Sequence, residues 1–333
     1  MVGMIPQGAG GQAPILTVTL NPALDVATSA EAVVPELKLR CDAPQVDPGG
    51  GGINVSRAIA RMGGRSTALV ALGGGTGARL CDLMRAEGLA MLRLDAPGET
   101  RQSLSVTDRG NGAQFRFVLP GPDWGAPEVG LALDSIAAAA SPGGIVVLSG
   151  SNPPGVPAEF AARLGARLAR QGDGTGAGAV RLFVDTSGAA LAAVAAGTGG
   201  PVAVLRMDGP EAEGLAGRPL ATRAETADFA AALAASGAAR TVIVARGADG
   251  NILAGPEGRW HAEAHRVEIV SKVGAGDSFV AGYTLAVARG MAAPEALGLA
   301  AACASAACMT PATELCRTED VARLYDTRVV TPI

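Results

Sequence analysis

The chain has 333 residues, of which 48% are hydrophobic, 17% charged and 3% aromatic, and its formal net charge is −4. This length and apolar content allow a large buried core, organised as one α/β unit or as two average domains. The acidic balance gives no reason to expect nucleic acid or an anionic membrane surface as a partner.

Residues 1–12 have loop composition and are predicted to form a mobile leader. We expect no signal peptide and no membrane span, because the Ala-rich stretch 296–309 is too short and too small-sided to cross a bilayer. The five cysteines show no C-x-x-C spacing, and neither histidine has a Cys partner at ligand spacing. These features predict reduced thiols in a cytoplasmic protein and no metal cluster.

Residues 14–20 read as a buried strand that Asn21-Pro22 ends, and the glycine-rich stretch 48–52 leads into a helix over 53–62. A strand at 67–72 and a helix at 77–87 follow. Further strands are predicted at 145–148, 182–185, 202–205 and 241–245, and further helices at about 128–140, 157–171, 187–196 and 224–236. Short apolar strands that alternate with helices indicate a mostly parallel sheet covered on both faces.

Two stretches depart from this alternation. Residues 25–47 contain no helix pattern, and residues 103–108 with 114–119 predict a hairpin around 109–112. We expect these stretches to form a small second sheet, a lid over a cleft, whose exposed face can also pair with another subunit. The predicted division is an α/β core over 13–24, 48–98 and 121–330, and a lid over 25–47 and 99–120.

The segment 271–278 reads Ser-Lys-Val-Gly-Ala-Gly-Asp-Ser and runs directly into an apolar stretch. Two glycines around Ala275 permit a tight turn, and a helix beginning there offers unpaired N–H groups to an anion. Asp277 would then lie at the mouth of a phosphate cradle, where it can take the proton of an attacking alcohol. The alternative interpretation is an Asp that caps an ordinary helix.

A second glycine-rich loop, Gly49–Gly52, precedes a helix with Asn54 in its first turn. It is either a flexible connector or a place where a ligand approaches the backbone closely. Asp25 follows the first strand, at the end of the sheet where α/β proteins bind ligands. Its carboxylate would bind sugar hydroxyls or form a turn.

Basic side chains gather in the predicted lid, at Lys38, Arg40 and Arg101. A single arginine is usually a solvated surface group, but three cations around one cleft suit an anionic substrate such as a sugar phosphate. Residues 149–155 follow another strand and offer hydroxyl contacts. Residues 246–250 form either a plain hairpin turn or a loop facing a nucleotide.

Taken together, these motifs resemble the PfkB/ribokinase family of sugar kinases. The resemblance covers residues 15–325 and includes both family motifs, Gly-Gly-Gly-Gly-Ile-Asn-Val at 49–55 and Val-Gly-Ala-Gly-Asp-Ser at 273–278. Within the family, the segments 20–25, 38–41, 48–52 and 100–102 are most similar to the bacterial 6-phosphofructokinase branch. The related 1-phosphofructokinases and tagatose-6-phosphate kinases usually carry Lys in the first motif, where this chain has Gly51.

The resemblance implies a ribokinase-like, Rossmann-type α/β sandwich with a β-sheet lid, and a homodimer in which two lids pack together. It also implies the roles of individual residues. Asp277 would be the base, and Gly274, Ala275 and Gly276 would form the anion hole. The positions that match the substrate site are Asp25, Gly50, Asn54, Arg101 and Ser151. Lys38 and Arg40 match basic lid positions facing the sugar phosphate or an adjoining nucleotide, and Gly247 and Gly250 match the nucleotide loop.

The chain departs from the family at the segment near the nucleotide phosphates and Mg²⁺. The family's Lys-Pro-Asn-x-x-Glu appears as Arg206-Met207-Asp208-Gly209-Pro210-Glu211, so Asp208 replaces a neutral amide. The resemblance predicts that Arg206 and Asp208 contact the nucleotide. It also predicts that Asp208 and Glu211 hold Mg²⁺, directly or through water; Asp208 could equally cap the next turn.

The resulting hypothesis is an ATP- and Mg²⁺-dependent kinase that phosphorylates the C1 hydroxyl of fructose 6-phosphate. Two alternatives stay open on the sequence. One is a kinase of another phosphosugar, with 1-phosphofructokinase or tagatose-6-phosphate kinase activity. The other is a non-catalytic sensor of ATP or sugar phosphate, which the changes at Arg206 and Asp208 would allow.

Overall fold

The structure is a computed structural model that describes residues 11–170, 178–197, 199–200, 202–311 and 313–333. Residues 1–10 of the predicted leader and residue 171 of the predicted helix 157–171 lie outside the described residues. The end of the leader is tied to the core, because the Arg65 amide donates to Gln12 Oε1 at 3.0 Å. The adjoining Ala13 amide donates to the Ala288 carbonyl at 2.8 Å.

The strands and helices follow the predicted alternation. The strands are β1 Ile15–Thr19, β2 Ala23–Ala30, β3 Gln45–Gly49, β4 Thr67–Leu72, β5 Ala90–Asp95, β6 Arg101–Asp108, β7 Gln114–Val118, β8 Ile145–Ser149, β9 Arg181–Asp185, β10 Val202–Asp208, β11 Ala239–Ala245, β12 Asn251–Gly255, β13 Gly258–Ala262 and β14 Val330–Pro332. The helices are α1 Gly51–Arg61, α2 Gly74–Ala86, α3 Ala126–Ala139, α4 Phe160–Ala169, α5 Gly188–Ala195, α6 Gly209–Ala216, α7 Arg223–Ala235, α8 Ala275–Ala288, α9 Ala293–Cys308 and α10 Thr318–Asp326.

Ten strands of the described chain form one sheet, in the order β14-β13-β12-β11-β10-β9-β8-β1-β4-β5. Neighbouring strands from β11 to β5 are parallel, whereas β12, β13 and β14 extend the sheet in antiparallel pairs. Side chains of a strand alternate between the two faces, so Ile145 and Val147 join one buried cluster while Val146 and Leu148 join the other. Helices cover both clusters, which confirms the predicted α/β sandwich.

The cluster that contains Ile145 and Val147 also holds residues of α1, α8, α9 and α10. The opposite cluster holds residues of α3, α4, α5, α6 and α7. With few aromatic side chains, α8 and α9 pack closely: a Cβ at Gly282 would lie only 3.0 Å from the Ala300 Cα. In the described part of the chain, no helix combines the length and apolarity that crossing a bilayer requires.

The second sheet has the order β3-β2-β6-β7, with strands drawn from the two stretches that broke the sequence pattern. The predicted hairpin is present, with Ser103 opposite Val118 and Thr107 opposite Gln114. The strands of this sheet begin at Ala23 and continue to Gly49, beyond the predicted limits of 25–47. The proposed division into core and lid remains an interpretation of this two-sheet arrangement.

Several elements differ from the sequence prediction for physical reasons. Helix α1 begins at Gly51 rather than residue 53, because the chain already turns at Gly50, whose φ is +126°. Helix α9 was not predicted, since its residues are buried around most of its circumference and leave no polar face to mark a helical period. The antiparallel strands β12 to β14 were also missed, because they are short and mix polar residues with glycine.

Candidate active site

The turn before α8 has the predicted form of an anion site. Gly274 caps the helix with a φ of +77°, and a Cβ there would lie 2.6 Å from the Leu315 side chain. Ala275 and Gly276 follow in the first turn, where amides lack partners within the helix. The structure therefore places the amides of this segment and the positive end of α8 at one point.

Asp277 lies in the first turn of α8, and its Oδ2 accepts a hydrogen bond of 2.9 Å from Asn54 Nδ2. Burial, followed by the negative charge of Asp185, raises the pKa of Asp277 to about 6, against opposing effects of Asn54 and Arg206. A carboxylate whose pKa lies near the working pH is matched to accepting and releasing a proton. The alternative of an ordinary N-cap does not fit, because Gly274 occupies the capping position.

The loop Gly49–Gly52 is packed against protein atoms. A Cβ at Gly49 would lie 2.1 Å from Asp25 Oδ2, and one at Gly51 would lie 2.4 Å from Ser149 Oγ. At Gly52 a Cβ would meet the Val18 carbonyl oxygen at 2.6 Å. These glycines are required where α1 meets the ends of β1 and β8, so the interpretation as a flexible connector is wrong. Whether a ligand also approaches the backbone at Gly50 stays a prediction.

Asp25 lies on β2 with its side chain against this loop. Burial raises the pKa of Asp25 to about 6, although the positive charges of Arg101 and Arg116 act in the opposite direction and Asp47 adds to the rise. Two of the acidic groups in the site, Asp25 and Asp277, thus have carboxyls with raised pKa values, and each lies within electrostatic range of the other. Neither carboxylate is a surface turn residue.

Hydrogen bonds connect Arg101 and Ser151 through Asn21. Arg101 Nε donates to the Asn21 carbonyl at 3.2 Å, and Asn21 Nδ2 donates to Ser151 Oγ at 3.1 Å. The structure therefore brings these predicted substrate residues together at the carboxyl ends of β1 and β8. It does not bring Lys38 and Arg40 to them: both are exposed in the connection between β2 and β3, and neither makes an ion pair within the described chain.

Arg206 and Asp185 form an ion pair of 3.0 Å at the carboxyl ends of β10 and β9. A Cβ at Gly276 would lie 3.3 Å from Arg206 Nη1, so the guanidinium is directly beside the first turn of α8. Burial acts to lower the pKa of Arg206, but the negative charges of Asp185, Asp277 and Glu211 together with the hydrogen bond to Asp185 outweigh it, and the pKa is raised. The cation therefore stays charged beside the predicted anion hole.

Asp208 and Glu211 begin α6 in a capping box. Asp208 Oδ1 accepts from the Glu211 amide at 2.9 Å, and Glu211 Oε2 accepts from the Asp208 amide at 2.9 Å. The alternative that Asp208 caps the next turn is therefore observed, and the predicted metal role has to use the remaining carboxylate oxygens. Burial, and then the charges of Asp208 and Asp185, raise the pKa of Glu211 against the hydrogen bond from the Asp208 amide.

Asp208 and Glu211 could bind a magnesium ion only together with water or substrate phosphates. No group of three or more His, Cys, Asp or Glu side chains in the described residues is arranged to hold a metal by itself. Mg²⁺ commonly keeps several waters and binds through one or two carboxylates plus substrate phosphates. Asp208 and Glu211 each retain one carboxylate oxygen outside the capping box, and a cation would offset their mutual repulsion.

A cleft of about 1100 Å³ extends from Gly276 and Arg206 to the 246–250 turn. Gly247 lines it with a φ of +59°, whereas Gly250 is needed because a Cβ there would lie 2.1 Å from the Ala262 carbonyl oxygen. The segment is both the hairpin connection of β11 and β12 and, at residues 246–248, part of the cleft wall. The two alternatives for it are thus compatible.

Several residues of this region had no role predicted from the sequence. Asp185 was read only as the end of a strand, and Lys272, Arg266 and His265 line the cleft without having been singled out as ligands. One signal for Lys272 was present in the sequence. It is one of two lysines in the chain, and it belongs to the segment 271–278 that contains the predicted anion site. No sequence signal marked Asp185, because its partner Arg206 comes from a different strand.

Comparisons with known proteins agree with this geometry. A family profile described as "pfkB family carbohydrate kinase" matches residues 20–320. The ATP-dependent 6-phosphofructokinase isozyme 2 of Mycobacterium tuberculosis is 37% identical over 316 residues, which cover 95% of this chain and 90% of that protein. A 1-phosphofructokinase of Xanthomonas campestris is 33% identical over 275 residues, or 82% of this chain and 83% of that protein. A crystal structure of phosphofructokinase-2 from Escherichia coli in complex with substrates and products matches with a TM-score of 0.85 at 36% identity, covering 94% of this chain and 99% of that one.

Proposed function

The chain belongs to the pfkB family of carbohydrate kinases and is a phosphotransferase with an alcohol acceptor, and we propose that it transfers the γ-phosphoryl group of ATP to the C1 hydroxyl of fructose 6-phosphate. The observation that carries this proposal is the placement of Asp277. Its partly buried carboxyl lies in the first turn of α8, with the amide of Asn54 on one side and the Arg206 cation nearby. The relatives named 6-phosphofructokinase support the choice of sugar.

In this proposal Asp277 accepts the proton of the C1 hydroxyl as the oxygen attacks the γ-phosphorus. The bond between that phosphorus and the β–γ bridging oxygen breaks, and ADP leaves with the electron pair. The amides of residues 274–276 hold the transferring phosphoryl group, whose charge is spread over its equatorial oxygens. Arg206, held charged by Asp185, adds a fixed positive charge next to the same turn.

ATP would occupy the cleft between residues 274–276 and residues 246–248, where Gly247 leaves room for the nucleotide. Mg²⁺ would neutralise charge on the ATP phosphates, and Asp208 and Glu211 would hold it through their free carboxylate oxygens, directly or through water. Because both carboxylates are fixed by the capping box, they are oriented before any ion binds.

The sugar phosphate would lie between the lid and the carboxyl ends of β1 and β8. Asp25 and Asn54 would bind sugar hydroxyls, and Ser151 would contribute a further hydroxyl contact. Arg101 would contact the phosphate already present on the sugar. Its guanidinium is half-buried, and burial lowers its pKa although Asp25 raises it, so an anionic ligand would stabilise the charged form.

We propose that the active form is a homodimer in which the lids of two chains pack together. The register places Leu104 opposite Phe117 and Val106 opposite Phe115, so these apolar side chains share one face of the lid sheet. Phe117 is 51% exposed, whereas Asp25 lies on the other face, toward the site. Burial of this face against a second lid would remove it from water and would bring the exposed Lys38 and Arg40 near the partner's sugar site.

A coupled ADP-release assay over a panel of acceptors tests the proposed reaction. The panel contains fructose 6-phosphate, fructose 1-phosphate, tagatose 6-phosphate and free fructose, with Asp277→Asn as the control for contaminating kinase. We expect the highest kcat/KM for fructose 6-phosphate. Preference for either of the other phosphosugars would reassign the substrate, and no turnover with any of them would favour the sensor.

The proposal also locates the protein in the cytoplasm, consistent with five cysteines that are all free.

A further inference from the structure

Arg57 is a buried cation on α1 that the proposed reaction does not use. It is 5% exposed, and it makes a bidentate pair with Glu87, at 2.7 Å from Nε and 2.8 Å from Nη2. A bidentate arginine is held in one orientation, because both of its contacts lie in the plane of the guanidinium. Glu87 therefore aims the remaining nitrogen, Nη1, in a defined direction.

Nη1 points toward Asn54, one helical turn earlier on α1. The distance from Arg57 Nη1 to Asn54 Oδ1 is 3.4 Å, while the other end of the same amide, Nδ2, donates to Asp277 Oδ2 at 2.9 Å. The amide oxygen thus faces a cation and the amide nitrogen faces a carboxylate. A flipped amide would set its oxygen against the Asp277 carboxylate and its NH₂ against the guanidinium, so Arg57 disfavours that arrangement.

The same guanidinium also reaches the lid. Arg57 Nη1 donates to the Thr313 carbonyl at 3.2 Å, and Thr313 Oγ1 donates to Asp47 Oδ2 at 2.8 Å. Asp47 lies on β3, opposite Asp25 of β2, with its Oδ1 4.0 Å from Arg57 Nη2. One arginine therefore contacts a helix of the core, the loop before α10 and, through Thr313, a strand of the lid.

We propose that Arg57 is a positioning residue for the transfer reaction: it holds the Asn54 amide in the orientation that donates to Asp277, and it ties that orientation to strand β3 of the lid. The inference rests on the proposed role of Asp277 as the base. Its consequence is that strand β3 of the lid and the hydrogen bond to the proposed base are held by the same side chain.

The proposal has a definite effect on proton uptake. The groups that face Asp277 are Asp185 of β9, Arg206 of β10, Asp25 of β2 and Asn54 of α1; the hydrogen bond from Asn54 and the charge of Arg206 lower its pKa. Without Arg57 the Asn54 amide loses its fixed orientation, so the pKa of Asp277 rises. Because the reaction needs the ionised carboxylate, the acidic limb of the kcat profile moves to higher pH, by about 1 to 2 pH units for a lost hydrogen bond to a charged group.

The test compares Arg57→Gln, Arg57→Lys and the core variant Ile59→Val, a buried position on the same helix. We expect Arg57→Gln to lower plateau kcat about tenfold, leave KM for both substrates within about threefold and shift the acidic limb upward. Arg57→Lys should recover part of the shift. Ile59→Val should lower Tm without moving the profile. If Arg57→Gln does not fold, the double variant with Glu87→Gln replaces it, since that pair leaves no orphan charge.

Two further measurements separate this inference from the proposed function. In an Asn54→Ala background, Arg57→Gln should have no additional effect on kcat, because Arg57 acts through that amide. The pKa of Asp277, read from the carboxyl carbon by NMR and assigned with Asp277→Asn, should rise in Arg57→Gln without any substrate. An unchanged Asp277 pKa and pH profile would overturn the inference while wild-type activity stands. A wild type inactive on every acceptor would overturn the proposed function alone if the NMR shift is still observed.

Discussion

Asp277 is a partly buried carboxylate that the fold holds more easily in its protonated form. Its pKa rises from the usual 3.8 to about 6, chiefly because burial removes water and Asp185 adds a like charge. Near neutral pH the ionised carboxylate therefore lowers the stability of the folded state. The same raised pKa makes the group a better proton acceptor. Such a conflict between stability and chemistry is typical of active sites.

The first prediction concerns the chemical role of this carboxylate. Asp277→Asn should lower kcat by about 10² to 10⁴-fold while the fold and ATP binding persist, because the amide cannot accept the hydroxyl proton. Steady-state rates, circular dichroism and nucleotide titration provide the comparison. Turnover within tenfold of the wild type, in protein free of other kinases, would remove Asp277 from the mechanism.

The second prediction concerns the energetic cost of the same group. Since the folded state raises this pKa, the native protein binds more protons than the unfolded chain between pH 3.8 and about 6, and stability falls as pH rises through that window. At pH 8 the free energy of unfolding of Asp277→Asn should therefore exceed that of the wild type by about 1 to 3 kcal/mol. This gain in stability should vanish near pH 4.

Denaturant unfolding at pH 4, 6 and 8 measures this difference. The surface variant Asp82→Asn is the matched control, because its carboxylate is 76% exposed and its ion pair with Arg85 should contribute little. A gain for Asp277→Asn that is equal at all three pH values would mean that the carboxyl is not the source of the effect.

The third prediction concerns Arg101. Loss of one charge-assisted phosphate contact costs about 1.5 to 3 kcal/mol, so Arg101→Ala should raise KM for fructose 6-phosphate roughly 10- to 150-fold. Arg109→Ala is the control, since that lid arginine is half-exposed and pairs with Asp42 away from Asn21. Free fructose should be a very poor acceptor for wild type, and equal use of fructose and fructose 6-phosphate would contradict the sugar-phosphate assignment.

Helix α6 joins a structural role and a proposed metal role at its first turn. The capping box of Asp208 and Glu211 satisfies two backbone N–H groups at the start of the helix, so the two carboxylates are held in place by local structure. Because both acids already stabilise α6, loss of activity on their removal would not by itself reveal a metal ligand. A useful substitution must keep the cap and change the charge.

The fourth prediction uses Asp208→Asn for this reason. Asn caps helices about as well as Asp, so Tm should change little, whereas the lost charge should weaken attraction for Mg²⁺ and flatten the dependence of rate on free Mg²⁺. Initial rates against free Mg²⁺ at fixed MgATP make the comparison. Glu213→Gln is the charge-matched control, because it lines the same cleft outside the capping box. Identical curves for wild type and Asp208→Asn would contradict the metal role.

At the scale of the whole molecule, helices cover both faces of the large sheet, and the smaller sheet lies next to the carboxyl ends of β1 and β8. The polar face of that smaller sheet carries Asp25 toward the site, and the opposite face exposes Leu104, Phe115 and Phe117. A partly apolar, exposed sheet face is unfavourable in water and tends to associate. The homodimer proposed above would bury it.

The fifth prediction tests that association. Phe117→Lys should convert the proposed homodimer to a monomer in sedimentation velocity, and KM for the sugar phosphate should rise because Lys38 and Arg40 would no longer reach a partner's site. The control is Leu131→Lys on α3, where an exposed leucine, 55% accessible, lies outside the lid. A wild type that sediments as a monomer at assay concentrations would contradict the proposed dimer.

The sequence alone determined the features that depend on neighbouring residues. The alternation of short apolar strands with helices indicated the covered parallel sheet, since each periodicity is set within a few residues. The turn at Gly274 and the helix after it were also predictable, because two glycines around Ala275 permit a tight turn and an apolar run follows directly. The choice of Asp277 as the candidate base followed from the same short segment.

Only the tertiary structure decided which distant groups meet. Asn54 and Asp277 are 223 positions apart, and Arg57 meets Thr313 across 256 positions, so no local pattern specifies either contact. Likewise, the glycines of the first loop proved to be required by Asp25 and Ser149, and Asp208 proved to cap a helix. Such contacts depend on the order of strands in the sheet, because that order sets which strand ends, and therefore which side chains, lie next to one another.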